Sequence, residues 1–266
     1  MERIVFSLMM IGLLALSGCA TSPMGRSQLI MMSDAEMNAM GNQAFLTLVQ
    51  KTPVVKDPQA NAYVDCVASA LIREVGGQWQ VAVFQDGDAN AFALPGGKIG
   101  VNAGMLGVAA NQDQLAAVIS HEVSHVLAKH SNERMSQQSA TKLGLGLIQA
   151  VASAKGYNSS AMMGALGLGA QYGILLPYSR VQESEADLMG LDLMAKAGFN
   201  PTESVNLWIN MGKASGGNQP AEFLSTHPSH DTRIQDLQNR MPQAMELSKK
   251  AHAAGKNPQC EDLARR

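Results

Sequence analysis

Residues 119–130 read ISHEVSHVLAKH. His121 and His125 stand four apart, with Glu122 beside the first. In a helix, four residues turn about 40° round the axis and climb one turn, so both imidazoles leave the same face. A pair placed so can hold one divalent cation. Glu122, on the flank of the pair, reaches a water beside that cation without ligating it. The chemistry of H-E-x-x-H is metal-assisted hydrolysis of an amide, with zinc as Lewis acid and the glutamate as general base. The competing reading is two ordinary helix histidines. Leu115, Ala116, Ala117, Val118 and Ile119 precede the motif, and Val123, Val126 and Leu127 interleave it, so the helix is largely buried. Buried rings need polar partners, and one metal satisfies both.

A hydrolytic zinc takes three protein ligands and keeps a fourth position for water. His130 lies five residues past His125, about 140° round the helix, and faces elsewhere. The segment RVQESEADLMGLDLMAKAG (180–198) is a better source. Glu183 and Glu185, two apart, face opposite sides of that helix. Helical steps from Glu183 reach Asp187, Gly190, Leu191 and Met194, an increasingly apolar face. Steps from Glu185 reach Met189, Asp192 and Lys196, a wetter one. Glu183 is therefore the third ligand, and Glu185 is expected in solvent. Asp187, one turn on, either orients a ligating histidine through its second ring nitrogen or is a plain helix charge. The developing oxyanion needs a donor besides the metal. THPSHDTR (226–233) offers His227, His230 and Arg233; the alternative is surface histidines and an arginine paired with a carboxylate.

These residues need elements to hold them. Ser33, with Glu36 three residues on, opens a helix over 33–50, and apolar spacing gives another over 57–77, stopped by Gly76 and Gly77. WQVAVFQD (79–86) alternates like a strand, and NAFALPGGKIGVNAGML (90–106) reads as strand, Pro-Gly-Gly turn and strand. The stretch Asn90, Ala91, Phe92 and Ala93 runs towards Pro95 and suits an exposed sheet edge, where an extended substrate can add as a strand. Asn111 with Gln114 caps the helix that carries the motif, expected to run through His130. The apolar, Gly-rich stretch from Lys142 to about Gly173 is either a packed helix pair or a hairpin dipping into a membrane, so 143–176 is the segment with a possible lipid contact. Further helices are expected over 202–250, broken near 214–220 and at THPSHD. Cys66 and Cys260 either form a disulfide, tying an early helix to the C-terminal tail, or stay separate thiols.

The N-terminus stands apart from this body. MERIVFSLMMIGLLALSGCA has Arg3, an apolar stretch over 4–16 and then small residues, the pattern of a secretory signal. Its end, LSGC, resembles a bacterial lipobox, which implies that Cys19 is lipidated, becomes the first mature residue and holds the chain to a membrane. Ala20 follows, with no aspartate there. By resemblance to Gram-negative lipoproteins, this implies the outer membrane, facing the periplasm. The 266 residues are 46% apolar with a net charge of −2 and no basic block, so a folded core is expected and a nucleic-acid partner is not. No G-x-S-x-G or P-loop supports a serine hydrolase or a nucleotidase.

HEVSH followed by SRVQESEAD resembles the M48 family of zinc metallopeptidases, in which H-E-x-x-H precedes E-x-x-x-D on a later helix. GRSQLIMMSDAEMNAMG, NAFALPGGKIGV, AGFNP and THPSHDTRI extend the resemblance over about residues 25–240. It implies an α+β, zincin-like fold, mostly helical with a small sheet. It also implies one Zn2+ per chain on His121, His125 and Glu183, Glu122 as base, and Asp187 behind the ligands. His227 matches the family's H-P element, and it can also ligate zinc at rest and exclude water. The expected layout is a signal peptide over 1–18, a lipidated tether over 19–32, a peptidase domain over 33–250 and a tail over 251–266. The implied activity is that of an endopeptidase, and the location points to unfolded or misassembled envelope proteins as substrates. A lipoprotein chaperone or assembly factor with a latent protease site is the alternative.

Overall fold

The apolar run around the histidine pair forms a helix that is buried on every side. The computed structural model describes residues 19–154, 179–214, 227 and 232–264. In chain order its elements are strands β1 (Cys19–Thr21) and β2 (Ser27–Leu29), then helices α1 (Asp34–Lys51) and α2 (Pro58–Val75). Strands β3 (Gln80–Phe84), β4 (Ala91–Leu94) and β5 (Lys98–Asn102) follow. Then come helices α3 (Ala103–Val108), α4 (Gln112–Leu127), α5 (His130–Ala154), α6 (Arg180–Lys196), α7 (Glu203–Ala214), α8 (Arg233–Ala253) and α9 (Glu261–Ala264). Helices dominate and the sheets are small, an α+β, zincin-like composition. The signal segment 1–18, residues 155–178 and His230 lie outside the described residues. Among the described residues, no helix is long and apolar enough to cross a membrane.

Two compact units emerge where one domain over 33–250 is expected. Among the described residues, one draws on those up to Ser33 and on 128–154 with Ser179; the other draws on Asp34–Leu127 and the described residues from Arg180 onwards. In the first, β1 pairs antiparallel with β2, Cys19 opposite Leu29. Arg26 grips Glu133 with both ends of its guanidinium, at 2.5 and 2.7 Å. Gln28 donates to the Ala128 carbonyl at 2.6 Å, and Asn132 donates to the Met32 carbonyl at 2.7 Å. Residues 19–32, expected as a tether, are thus a hairpin seated on α5. Three-residue strands leave no alternation to detect, and the bonds that seat them join residues about a hundred positions apart.

The motif helix is shorter than expected. It ends at Leu127, and Lys129 has a φ of 55°, a left-handed conformation that no helix continues through. A new helix begins at His130. Neither Gly nor Pro marks this break, so the apolar pattern reads straight across it.

In the second unit α4 is the centre. It packs against α6, α2, α7 and β4. Leu115 and Ile119 are fully buried and contribute about 1.5–3 kcal/mol each to holding it in place. The sheet order is β3-β5-β4, with β3 parallel and β4 antiparallel to β5, which leaves β4 on an edge. Gly96 and Gly97 make the turn into β5 at φ values of 85° and 70°, which suit glycine alone. Helix α6 lies against the motif's own backbone. A Cβ on Gly190 would come within 2.9 Å of the His121 nitrogen, so only glycine permits the approach. That helix ends as read, with Gly198 at φ 93° and the Phe199 N–H donating back to the Met194 carbonyl.

The described part of the C-terminal tail, up to residue 264, is tied in. Cys66 of α2 and a buried Cys260 form a disulfide. Gln112, the first residue of α4, donates to the Pro258 carbonyl at 2.9 Å and accepts from the Cys260 N–H at 2.7 Å. Replacing both cysteines with alanine is expected to lower stability by about 2–4 kcal/mol, read from the urea midpoint. Wild type in reductant should unfold at the same midpoint as the double variant; coincidence of both with the oxidised protein would mean that the bridge carries no stability.

Candidate metal centre

Helix α4 presents His121 and His125 one turn apart, and α6 presents Glu183 and Asp187 one turn apart, all four buried. His227 joins them from the segment before α8 and is also buried. One ligating atom each from His121, His125, Glu183 and His227 lies within 4.8 Å of all the others. The closest approaches are shorter. His125 Nε2 lies 3.0 Å from His121 Nε2, and His227 Nδ1 lies 3.2 Å from His121 Nε2 and 3.0 Å from Glu183 Oε1. The two Glu183 oxygens lie 3.5 Å from His121 Nε2 and from His125 Nε2.

These edges suit a small tetrahedral cation. Bonds of about 2.0–2.1 Å to nitrogen and oxygen put neighbouring ligand atoms about 3.3 Å apart. The donor chemistry agrees. His121 Nδ1 sits 2.9 Å from Asp187 Oδ1 and gives its proton there, so its Nε2 lone pair points at the cluster. Three imidazole nitrogens and a carboxylate facing one point repel each other unless a proton or a cation sits between them. Glu122 Oε1 and Glu183 Oε2 are buried oxygens that accept no hydrogen bond among the described residues. Arg233 Nη1 approaches Glu183 Oε2 to 2.9 Å, an ion-pair distance without hydrogen-bond alignment. The residues present therefore fit zinc, as three protein ligands and a fourth, exchangeable one.

Local charges are arranged for this. Burial alone lowers the His121 pKa, but hydrogen bonds to Asp187 and Glu183 outweigh it and push the ring up to about 9. A cation binding here displaces that proton. Burial alone would raise Glu183; its close contacts with His121 and His227, with the Arg233 charge, hold it well below the usual carboxylate range. Asp187 is likewise kept low against its burial, chiefly by Arg233. Glu122 goes the other way: burial raises it, and His227 and His121 offset only part. A buried carboxylate with a raised pKa is suited to accept and then return a proton.

Most of the expected residues meet here, and some differ in detail. Asp187 orients His121 instead of standing as a plain helix charge. Arg233, expected among the oxyanion donors, is turned away from that task. Its guanidinium is bidentate on Asp187, at 2.5 and 2.8 Å, and reaches Glu183. That is the carboxylate-paired alternative. Glu185, expected in solvent, is only 6% exposed. Helix α6 packs on both α4 and α8, and its exposed side runs through Val181 and Lys196, leaving Glu185 off it. His130, on another helix, takes no part in the cluster. Asn90 to Ala93 lead into and form β4, the edge strand beside α4, as expected. The Ala93 N–H is near enough to Glu122 to favour its charged form slightly, which puts the base beside that strand. Two features had no signal in the sequence: this proximity, and Trp208 of α7, whose ring lies 3.7 Å under the Arg233 guanidinium.

Comparison with known proteins gives a consistent picture. The profile of peptidase family M48 matches residues 58–241. The mitochondrial metalloendopeptidase OMA1 of Schizosaccharomyces pombe is 38% identical over 168 residues, covering 63% of this chain and 48% of the relative. The β-barrel assembly-enhancing protease of Yersinia pestis is 28% identical over 218 residues, covering 79% of this chain and 44% of the relative. Its counterpart in Escherichia coli K12 is 26% identical over 229 residues, covering 83% and 47%. The chain spans about half the length of the curated relatives it matches.

Proposed function

The chain belongs to peptidase family M48, and from that premise we propose that it is a zinc metalloendopeptidase acting on unfolded or misassembled envelope proteins. The observation that carries this reading is the convergence of His121, His125, Glu183 and His227 on one point, with Glu122 beside it. Bound zinc supplies a Lewis acid that polarises the scissile carbonyl and makes water nucleophilic near neutral pH. His121, His125 and Glu183 hold it. Asp187 fixes the His121 tautomer that turns Nε2 inward. Glu122 takes a proton from the attacking water and delivers it to the departing amine.

Substrate adds to the edge of β4. Asn90 accepts from the Asn102 N–H, so Asn90 and Phe92 pair inward with β5 while Ala91 and Ala93 turn their backbone groups to the open edge. A chain laid there runs past Glu122. Backbone pairing recognises extended polypeptide more than side-chain identity, which suits unfolded substrates. The lipobox-like LSGC, with Cys19 as the lipidated residue, supports an outer-membrane anchor facing the periplasm. Relatives named for β-barrel assembly support envelope proteins as targets.

A second reading, a chaperone or assembly factor whose protease site is latent, has one observation in its favour. His227 places Nδ1 in the ligand cluster and Nε2 at 3.3 Å from Glu122 Oε1, so it stands between the metal position and the base. Cleavage then requires His227 to leave. The family reading is tested by metal content. The purified chain should carry one zinc, and His121→Ala should lose most of it; a wild-type protein free of zinc after growth in zinc-replete medium would end the metallopeptidase account.

A further inference from the structure

We propose that Trp208 is a positioning residue for the metal ligands, holding the plane of Arg233 and through it Asp187, Glu183 and His121; this rests on the metallopeptidase reading. Arg233 meets several partners of the centre, and its Nη2 also lies 3.3 Å from each ring nitrogen of His121. Nε and Nη2 meet the two Asp187 oxygens, Nη1 meets Glu183 Oε2, and Nη1 also donates at 3.5 Å to the His227 carbonyl. The bidentate pair on Asp187 fixes the edge of the guanidinium more firmly than its tilt about that edge. The indole of Trp208 stacks on the face, 3.7 Å from ring centroid to guanidinium carbon, and so fixes that tilt.

The same indole stands edge-on to the His121 ring, 6.4 Å between centroids at 79°. His121, Asp187 and Trp208 also line one small cavity, with Gly190 and Leu237. Loss of the indole therefore opens space directly behind a ligand ring and frees the cation that holds the two carboxylates. Helix neighbours of Trp208 do something else. Leu207 and Met211 are buried in the apolar core, whereas Trp208 is partly buried, packs against that core and also carries Arg233 on its ring face. Packing alone is satisfied by any apolar side chain of sufficient size. A role through Arg233 requires an aromatic face.

That difference sets the test, made on the full chain with Trp208→Leu and Trp208→Phe. Three quantities are read: zinc affinity by competition with a chromogenic chelator, the visible absorption of the cobalt-substituted protein, and the unfolding midpoint of the zinc-free protein. Trp208→Leu should weaken zinc roughly 10- to 100-fold, the range for loss of groups that orient ligands, and should shift the cobalt bands. Trp208→Phe, which keeps a π face, should restore most of the affinity and the wild-type bands. Wild-type affinity and spectrum in the leucine variant would overturn the proposal and leave the metallopeptidase reading intact. Equal losses in both variants, tracking a common fall in the zinc-free midpoint, would reduce Trp208 to packing and also overturn it. If wild type takes up neither zinc nor cobalt, the metallopeptidase reading fails, and the proposal fails with it.

Discussion

Glu122→Gln is expected to leave zinc bound and to slow cleavage of an unfolded substrate roughly 10²–10⁴-fold, the usual share of a positioned general base. Glu122 is outside the ligand set, so its amide isostere removes no metal contact. The amide keeps the size and shape of the side chain beside Ala93. What it cannot do is take a proton. Metal content and the cobalt spectrum should therefore match wild type while casein cleavage falls. Cleavage within a few-fold of wild type would refute the assignment of the base. A variant that loses zinc as well would mean that Glu122 belongs to the ligand set. The same variant separates the two functional readings. A latent site serving a chaperone predicts that Glu122→Gln restores envelope integrity to a deletion strain as well as wild type does; an active protease predicts that it does not.

The centre was legible in the sequence because helices convert spacing into direction. Two histidines four apart, and a glutamate whose helical neighbours are Asp187, Gly190, Leu191 and Met194, each announce a face. The structure brings those faces together, and Gly190 marks how closely. Where the chain is irregular, direction is lost. The break at Lys129 follows no Gly or Pro, and the β1–β2 hairpin is too short for a period. Glu185 was misread for another reason. The facing rule places the wet side only coarsely: the exposed side of α6 holds Val181 and Lys196, while Glu185, nearby round the helix, is buried. Arg233 was found by its company in THPSHDTR, but its task depends on Asp187, 46 residues earlier, and on Trp208. Spacing within one segment carries no information about either.

Arg233→Met tests that task with the second large effect. Arg233 is only 2% exposed and is held among two carboxylates, a carbonyl and an indole. Methionine matches the aliphatic stem and keeps much of its apolar contact but removes the guanidinium and its charge. Asp187 and Glu183 are then buried with one cation fewer. Breaking a buried ion pair from one side typically costs about 3–5 kcal/mol, mostly because a charge is left uncompensated. The zinc-free variant should therefore be less stable than zinc-free wild type by about that amount in urea unfolding. Saturating zinc should narrow the gap, since a divalent ion beside Glu183 takes over part of the compensation and stabilises whichever folded form it binds. An oxyanion donor predicts the opposite pattern. Its removal would lower turnover roughly 10²–10³-fold while the zinc-free midpoint stayed put. A variant as stable as wild type without zinc, yet slow with it, would return Arg233 to the substrate side of the site. The buried ion pairs that hold it against Asp187 and Glu183 argue that the midpoint will move.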